Sequence, residues 1–264
     1  MSDVTVTPTV ELGGTVPRVR LDVVDANIPE RFSANVVRHD PDGRIVPVRT
    51  PTGEALTLST VGLTRVGLVY DYEAPFGQPV SYSTLESPAI VSAEVTVAVD
   101  RVWLIHPGVP ELSQQVMVSE FGPRARPIPQ GVYLPLGRRE PIVHTDGQRK
   151  AASYSLSLLT QTEAEARLLE PLLEDGSTLL LNVPATLGYG VPTEYIAVGD
   201  VAETRNARFA GNPIRTWQLA CTVTARPVGG TQAERTYTDL IATFATYGAV
   251  QAAYDSYFDV LAGP

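Results

Sequence analysis

The predicted fold is decided by residues 153–183, which read SYSLSLLTQTEAEARLLEPLLEDGSTLLLNV. At the start of this stretch, Tyr154, Leu156 and Leu158 alternate with serines, and a period of two is typical of a strand with one buried face. At its end, Ser177–Val183 is a second apolar run of strand length. A helical pattern separates the two runs, so we predict a strand–helix–strand unit within a β domain.

The intervening helix is predicted to begin at Thr160, because Thr160 and Glu163 have the spacing of a capping box. Gly176 is suited to end the helix. Pro171 conflicts with the pattern, since proline lacks an amide hydrogen and clashes with the preceding turn. We therefore expect a kink or a break near Glu170. The leucines that share one apolar face are Leu168, Leu169, Leu172 and Leu173.

Period-two alternation recurs elsewhere along the chain. Ile90–Val99 places a row of small apolar side chains on one face, and Arg215–Arg226 does the same with Trp217 and Cys221. Residues 40–43 (DPDG) have the proline and glycine of a tight turn, which predicts a hairpin. About seven or eight short strands fall within residues 19–118, a density typical of an antiparallel sandwich.

We therefore predict a mainly β protein with two antiparallel β-sandwich or barrel domains, the second with one helix between strands, plus a short helical C-terminal segment. The first domain is predicted over residues 1–120 and the second over residues 131–228. Residues 121–130 (FGPRARPIPQ) hold three prolines and no apolar period, which predicts an extended linker. Helical ten-residue repeats are predicted over residues 229–264.

The C-terminal segment repeats with a period of ten, as RTYTDLIATF, ATYGAVQAAY and DSYFDVLAG. Its apolar positions recur about every 3.3 residues, fewer than the ~3.6 of a helical turn, so a straight helix would rotate its apolar stripe away from a flat surface. We expect two or three short helices, packed on the second domain or docked on a neighbouring subunit. The candidate interface residues here are Tyr237, Phe244, Tyr247, Tyr254 and Tyr257.

Composition and charge limit the function classes. Of 264 residues, 44% are hydrophobic and 19% are charged, a balance typical of folded soluble proteins. The net charge of −9 gives no long-range attraction to nucleic acid or to an anionic membrane. One cysteine, Cys221, allows no internal disulfide. Residues 1–10 do not resemble a signal peptide, and no run approaches ~18 apolar residues, so we expect neither secretion nor membrane insertion.

The sequence contains no recognisable catalytic pattern. The nucleophile elbow, the P-loop, the dinucleotide fingerprint and the zinc-protease motif are all absent. His39, His106 and His144 each lie beside a turn, and hydrogen bonding to the turn is the expected role of His106. The acidic residues within 163–175 fit a solvated helix face better than the facing carboxylate pair of a glycosidase. We predict no catalytic residue, no cofactor and no metal.

Aromatic residues leave sugar binding open. Tyr189 lies in the glycine-rich loop LGYGVP, which suits contact with a sugar or with a partner. Tyr70 and Tyr72 share one face of a strand, where they form either a sugar platform or ordinary sheet packing. Trp103 and Trp217 lie on alternating strands, and core filling is the expected role of both.

Several segments, in their order along the chain, resemble one known family. VYDYEAPFGQPVSY (69–82) resembles a strand–turn–strand of the fibronectin type III-like modules in minor tail proteins of actinobacterial phages. WLIHPG (103–108) is similar to the segment that closes that module. Four further segments resemble the module that follows in that family, namely GRR (137–139), the helix from Thr160, YIAVGD (195–200) and RTW (215–217). The Thr-Tyr repeats resemble the family's C-terminal segment.

The resemblance implies a structural virion protein at the tail tip of a long-tailed phage, a siphovirus. Minor tail and distal tail proteins of this kind form closed rings around the tail axis and join the tail tube to the tip. The resemblance implies a fibronectin type III-like fold for residues 1–120 and a ring-forming role for residues 131–228. Distal tail proteins place the ring domain first, whereas the helix-bearing module comes second here, so the resemblance favours the broader class of tail-tip structural proteins.

We therefore expect a non-enzymatic homo-oligomer, made in the host bacterial cytoplasm and located at the virion tail tip. Its expected partners are copies of itself and neighbouring tail proteins, namely the tail tube, the tape measure and other tip proteins. Arg138, Arg139 and Tyr189 are further candidate interface residues, because arginine and tyrosine are enriched at protein contacts. Recognition of a host-surface carbohydrate is the alternative function, and cleavage of host glycan or peptide is the third hypothesis.

Overall fold

The computed structural model of the protein describes residues 4–26, 32–61, 63–145, 147–206 and 211–230, together with Ala249. This part of the chain is mainly β, with one α-helix. Its strands are β1 (Val4–Glu11), β2 (Arg18–Asp25), β3 (Ser33–Ala34), β4 (Val36–His39), β5 (Ile45–Pro47), β6 (Leu56–Thr57), β7 (Ser59–Val61), β8 (Thr64–Asp71), β9 (Pro79–Thr84), β10 (Val95–Thr96), β11 (Val102–Ile105), β12 (Gln114–Phe121), β13 (Gln130–Tyr133), β14 (Ile142–Thr145), β15 (Ser153–Thr160), β16 (Thr178–Asn182), β17 (Glu194–Arg205) and β18 (Arg215–Val223). Its helix, α1, spans Glu163–Glu174, and short 3-10 turns lie at Pro110–Leu112 and Ala185–Leu187.

Six strands close into a barrel in the order β11, β12, β15, β18, β17 and β16, and each neighbouring pair is antiparallel. The predicted strand–helix–strand unit is confirmed, because residues 153–183 form β15, α1 and β16. Alternate side chains of the strands fill the barrel. The strand residues of this core that are at most 1% exposed are Leu104, Leu156, Leu158, Leu179, Leu181, Ile196, Leu219 and Cys221. The helix α1 adds Ala166, Leu169 and Leu172 to the same core.

The helix begins and continues differently from the prediction. Its cap is Thr162, whose hydroxyl accepts a hydrogen bond from the Glu165 amide at 3.2 Å. The predicted cap at Thr160 is wrong, because Thr160 is the buried end of β15 and its hydroxyl accepts the indole hydrogen of Trp217 at 3.1 Å. The same bond confirms Trp217 as a core residue.

The predicted break near Glu170 is also wrong, since α1 continues through Pro171 to Glu174. Proline forfeits a single backbone hydrogen bond so close to the helix end, and burial of Leu172 anchors the last turn. The predicted stop is confirmed, because Gly176 has a φ of +70°, the left-handed conformation that favours glycine after a helix.

Two four-stranded sheets lie N-terminal to the barrel, in the orders β1-β2-β8-β7 and β10-β9-β4-β5. They share one core with Leu21, Phe76 and Tyr82 at its centre. The predicted hairpin at residues 40–43 is confirmed, because β4 pairs with β5 across this turn. The predicted strand Ile90–Val99 is largely wrong: only Val95–Thr96 is a strand, and residues 90–94 are irregular, with the Ser92 amide donating to the Tyr82 carbonyl of β9 at 2.8 Å.

The N-terminal sheets pack against the outside of the barrel. Ile105 and Leu180 point away from the barrel core and are buried in the core of the N-terminal sheets, with Trp103 and Tyr195 beside them. Trp103 thus packs against a core, as expected. The strands β11 and β12, which the predicted division assigns to the first domain, belong to the barrel. The division into two domains stays a prediction.

The segment predicted as a linker follows the barrel wall. The Gly122 amide donates to the Ser155 carbonyl at 2.8 Å, and Ala125 pairs with Ser153. The Lys150 amide donates to the Pro127 carbonyl at 2.8 Å. Residues 122–127 are therefore hydrogen-bonded to the chain around β15. The C-terminal repeats with Tyr237, Phe244, Tyr247, Tyr254 and Tyr257 lie outside the described residues.

The barrel core and the outer face of α1 should respond differently to truncation. We predict that Leu169→Ala lowers the free energy of unfolding by about 2–4 kcal/mol, because Leu169 is 2% exposed and its loss leaves a cavity. The matched control is Leu168→Ala, which removes a side chain that is 56% exposed and should change stability by less than ~0.5 kcal/mol. Urea unfolding measures both, and equal losses would contradict the packing.

Candidate functional site

One hairpin projects from the barrel without packing on it. The strands β13 and β14 pair Val132 with Val143 and Tyr133 with Ile142. All eight residues of the two strands are exposed. We call residues 130–145 the arm.

The tip of the arm is a tight turn. The Arg138 amide donates to the Pro135 carbonyl at 3.2 Å, and Gly137 has a φ of +86°. A positive φ at the third turn position requires glycine for a turn of this kind. Leu136 lies beside this glycine and is fully exposed, which places an apolar side chain and the arginine pair Arg138–Arg139 at the far end of the arm.

Both faces of the arm are apolar. An isolated two-stranded hairpin is marginally stable in water, and exposed apolar patches mark interaction sites. The exposed apolar side chains of the arm are Val132, Tyr133, Leu134, Leu136, Ile142 and Val143. The arm therefore has the surface of a segment that another molecule covers.

The arm region is basic in an acidic protein. Residues 124–150 carry six basic and two acidic side chains, a net charge of +4, whereas the whole chain carries −9, so the remainder carries −13. Within the described residues, Arg138 and Arg139 take part in no ion pair. Arginine at such a position suits contact with an acidic surface.

The base of the arm is anchored, unlike its tip. The Arg124 guanidinium pairs with the Glu194 carboxylate of β17 and lies 5.7 Å from the centre of the Tyr154 ring. Burial and the nearby Glu194 raise the pKa of Tyr154, so this phenol stays neutral. The Arg149 guanidinium donates to the Arg126 carbonyl at 3.2 Å. The arm is thus held at its root by the barrel.

Tyr189 lies on the barrel surface, in a loop that is distant in sequence from the tip of the arm. Its ring is 55% exposed, and its centre is 6.4 Å from that of Phe121. Tyr189 borders a groove of about 290 Å³ that is also lined by Met117 and Leu187. Of the candidate interface residues, the structure brings Arg138 and Arg139 together and leaves Tyr189 apart from them.

A cleft of about 540 Å³ lies where the N-terminal sheets meet the barrel. Its carboxylates are all paired with arginines. Asp40 pairs with Arg38 at 2.6 Å and Asp42 with Arg44 at 2.6 Å. The remaining pairs are Glu194 with Arg124, and Glu73 with Arg49 and Arg226. With each of these carboxylates held by an arginine, the cleft offers ion pairs rather than an unpaired carboxyl group.

Glu73 and Asn182 bind the two halves of the chain to each other. The buried Glu73 carboxylate accepts hydrogen bonds from Arg49 at 3.0 Å and from Arg226, beyond β18, at 2.9 Å. The fully buried Asn182 side chain of β16 donates to the Ala74 carbonyl at 2.9 Å and accepts from the Phe76 amide at 3.2 Å. These polar contacts are structural, because they provide hydrogen-bond partners for polar groups that are buried where the N-terminal sheets meet the barrel.

Two of the three histidines, His106 and His39, have structural partners as well. His106 Nδ1 accepts from the Val109 amide at 2.7 Å, which confirms that it bonds to its turn. Its Nε2 therefore carries the proton and donates to Asp175 at 2.9 Å. His39 Nε2 lies 2.8 Å from the Ser83 hydroxyl, and His144 is exposed on the arm. No cluster of three metal-ligating side chains occurs in the described residues.

The other aromatic candidates pack within the sheets. The Tyr72 hydroxyl accepts from Arg18 at 3.0 Å, and the Arg18 guanidinium lies 4.0 Å above the Tyr70 ring. Tyr72 is buried, so the pair does not form an open sugar platform. Sequence reasoning missed the apolar side chains of the arm; the signal was two short apolar runs, 132–134 and 142–143, on either side of a turn that contains proline and glycine.

No protein-family model matches the chain, and no curated protein matches its sequence at a significant level. Among the described helical residues, none belongs to a helix long and apolar enough to cross a membrane.

The tip of the arm should be the first site of proteolysis. We predict that trypsin cleaves at Arg138 and Arg139 before it cleaves at Arg124, because the tip is exposed whereas Arg124 lies in a hydrogen-bonded, ion-paired segment. Mass spectrometry of a time course identifies the first peptide bond cut. A first cut after Arg124 would show that residues 121–130 open more readily than the arm.

Stability should fall in acid at the contact between Asp175 and its neighbours. Hydrogen bonds from Ser177 and then from His106 lower the pKa of Asp175. A lowered pKa stabilises the fold above the ordinary aspartate pKa of about 3.9, and this contribution is lost as the pH falls through the lowered value. We predict that Asp175→Asn is less stable than the wild type at neutral pH.

The stability gap between the wild type and Asp175→Asn should close in acid. Urea unfolding over the acid range in which both proteins stay folded measures it. The matched control is Glu54→Gln, which changes an exposed carboxylate that makes no ion pair within the described residues and should change stability little. A gap for Asp175→Asn that does not change with pH would contradict a role for its charge.

Proposed function

We propose that this protein is a non-enzymatic structural subunit of a phage tail tip, a minor tail or distal tail protein that assembles with copies of itself and connects the tail tube to tip components. The observation that carries the proposal is the arm, a basic hairpin with apolar side chains on both faces. The resemblance of the sequence to minor tail proteins supplies the biological setting.

The barrel makes the arm the natural assembly element. A closed barrel has no edge strand, so it cannot extend its own sheet into a neighbour. The arm, by contrast, pairs its two strands only with each other within the described residues, and each strand keeps one free edge. A neighbour that covers the arm would satisfy these backbone groups and bury its apolar side chains in one contact.

Closed rings are the expected form of such assembly. A contact between different patches on identical subunits repeats around an axis and closes when the rotation permits. The ion pair between Arg124 and Glu194 ties the segment that leads into the arm to the barrel. We propose a ring in which the barrels lie side by side and the arm of each subunit binds the next subunit.

Carbohydrate recognition at the tail tip is the second candidate function. It is favoured by Tyr189, which borders a groove of about 290 Å³ on the barrel surface and whose ring centre lies 6.4 Å from that of Phe121. Aromatic rings of this kind present a flat apolar surface to a sugar face. Binding of host cell-wall glycan by the wild type, lost in Tyr189→Ala and retained in Leu63→Ala, would support this function in place of assembly.

Assembly is tested by making the arm polar while keeping its strands. We predict that Val132→Thr, Leu136→Ser and Val143→Thr together leave the melting temperature nearly unchanged, because these side chains are exposed. The same variant should be excluded from phage particles grown in a host that supplies it in place of the wild type. Mass spectrometry of purified particles measures incorporation.

The control for this experiment is a variant with Leu63→Ser and Leu85→Ser, which removes exposed leucines from the N-terminal sheets. It should enter particles at the wild-type level. Incorporation of the arm variant at the wild-type level, or absence of the wild-type protein from particles, would overturn the proposed function.

A further inference from the structure

The barrel surface carries an apolar strip that no other described residue covers. Met117 of β12, Leu168 of α1 and Tyr189 are all exposed there. Met117 and Leu168 line one groove of about 280 Å³, and Met117 and Tyr189 line the adjoining groove of about 290 Å³. The two grooves share Met117 as a wall, so the three side chains form one continuous feature that we call the strip.

We infer that the strip receives the arm of a second copy of this chain. The inference rests on the proposed function and names the surface that the arm binds. The two surfaces are complementary in shape, because the arm presents apolar side chains on a narrow hairpin and the strip presents two grooves with apolar side chains in their lining.

Charge complementarity identifies the occupant. The arm region carries +4 while the remainder of the chain carries −13, so a second copy is attractive to the arm. The charged side chains that line the grooves are Glu165 in the first, Asp100 in the second and Arg101 in both, which gives the strip a net charge of −1. Arg138 and Arg139 at the tip are the cations that would meet these carboxylates, and the overall charge of −9 disfavours nucleic acid as the occupant.

Within one chain the arm does not reach the strip. Leu136 at the tip is fully exposed, and the strip residues Met117 and Leu168 are exposed as well. The pairing is therefore between two molecules, and it is head-to-tail because the arm and the strip are different surfaces. A head-to-tail contact leaves one free arm and one free strip at the ends of a dimer, which is the geometry that extends to rings.

The single native cysteine makes the contact measurable by cross-linking. Cys221 is 1% exposed, and burial raises its pKa to about 12, so its thiol does not react. Leu136→Cys places a thiol on the arm and Leu168→Cys places one on the strip. The two variants, carrying tags of different size, are mixed as full-length proteins and treated with a bis-maleimide.

We expect covalent heterodimers of Leu136→Cys with Leu168→Cys, formed about tenfold faster than with the control Leu63→Cys, because docking raises the local thiol concentration. Adding Arg138→Glu and Arg139→Glu to the arm variant, or raising the salt concentration, should slow the reaction towards the control rate. Unchanged melting temperatures confirm that each variant is folded.

Other outcomes overturn the inference in distinguishable ways. Cross-links of Leu136→Cys to itself, or to another tail protein in particles, would reject the strip and leave the proposed function standing. Equal rates with Leu168→Cys and Leu63→Cys would reject specific docking on the strip. Binding of a short DNA duplex that depends on Arg138 and Arg139 would assign the arm to nucleic acid and reject a second copy as its occupant.

Discussion

Closure of the six-stranded barrel is the constraint on which the other features depend. Closure pairs β11 with β16 and uses both neighbours of every barrel strand. Because no ladder position remains, the strands β13 and β14 pair only with each other in the described chain and stand outside as the arm. The same closure turns Ile105 and Leu180 outward, where they are buried against the N-terminal sheets.

The described residues include charged side chains in two contrasting environments, buried in ion pairs at the junction and exposed without an ion pair on the arm. At the junction of the sheets and the barrel, Glu73 is buried between Arg49 and Arg226, and such a pair is costly to break because a lone buried charge remains. On the arm, Arg138 and Arg139 are exposed beside apolar side chains. Satisfied charges hold the fold together, whereas the exposed combination on the arm is available for a partner.

The sequence correctly predicted those elements that depend on residues close to one another in the chain. Alternation at residues 153–160 and 215–223 identified barrel strands, and Gly176 identified the helix end. Thr160 was a wrong cap because Trp217, distant in sequence, takes its hydroxyl. Ile90–Val99 alternates, yet only Val95–Thr96 is a strand, since alternation does not show whether a neighbouring strand pairs along the whole run. For the same reason the sequence could not distinguish the uncovered arm from a strand pair within a sheet.

Self-assembly through the arm is the central claim, and hydrogen exchange tests it most directly. Backbone amides of residues 130–145 should exchange rapidly in the isolated protein, because the arm is exposed and contacts only itself. In the assembled particle these amides should become protected while those of β15 and β18 keep the same slow exchange. Equally rapid exchange of the arm in both states would contradict the account.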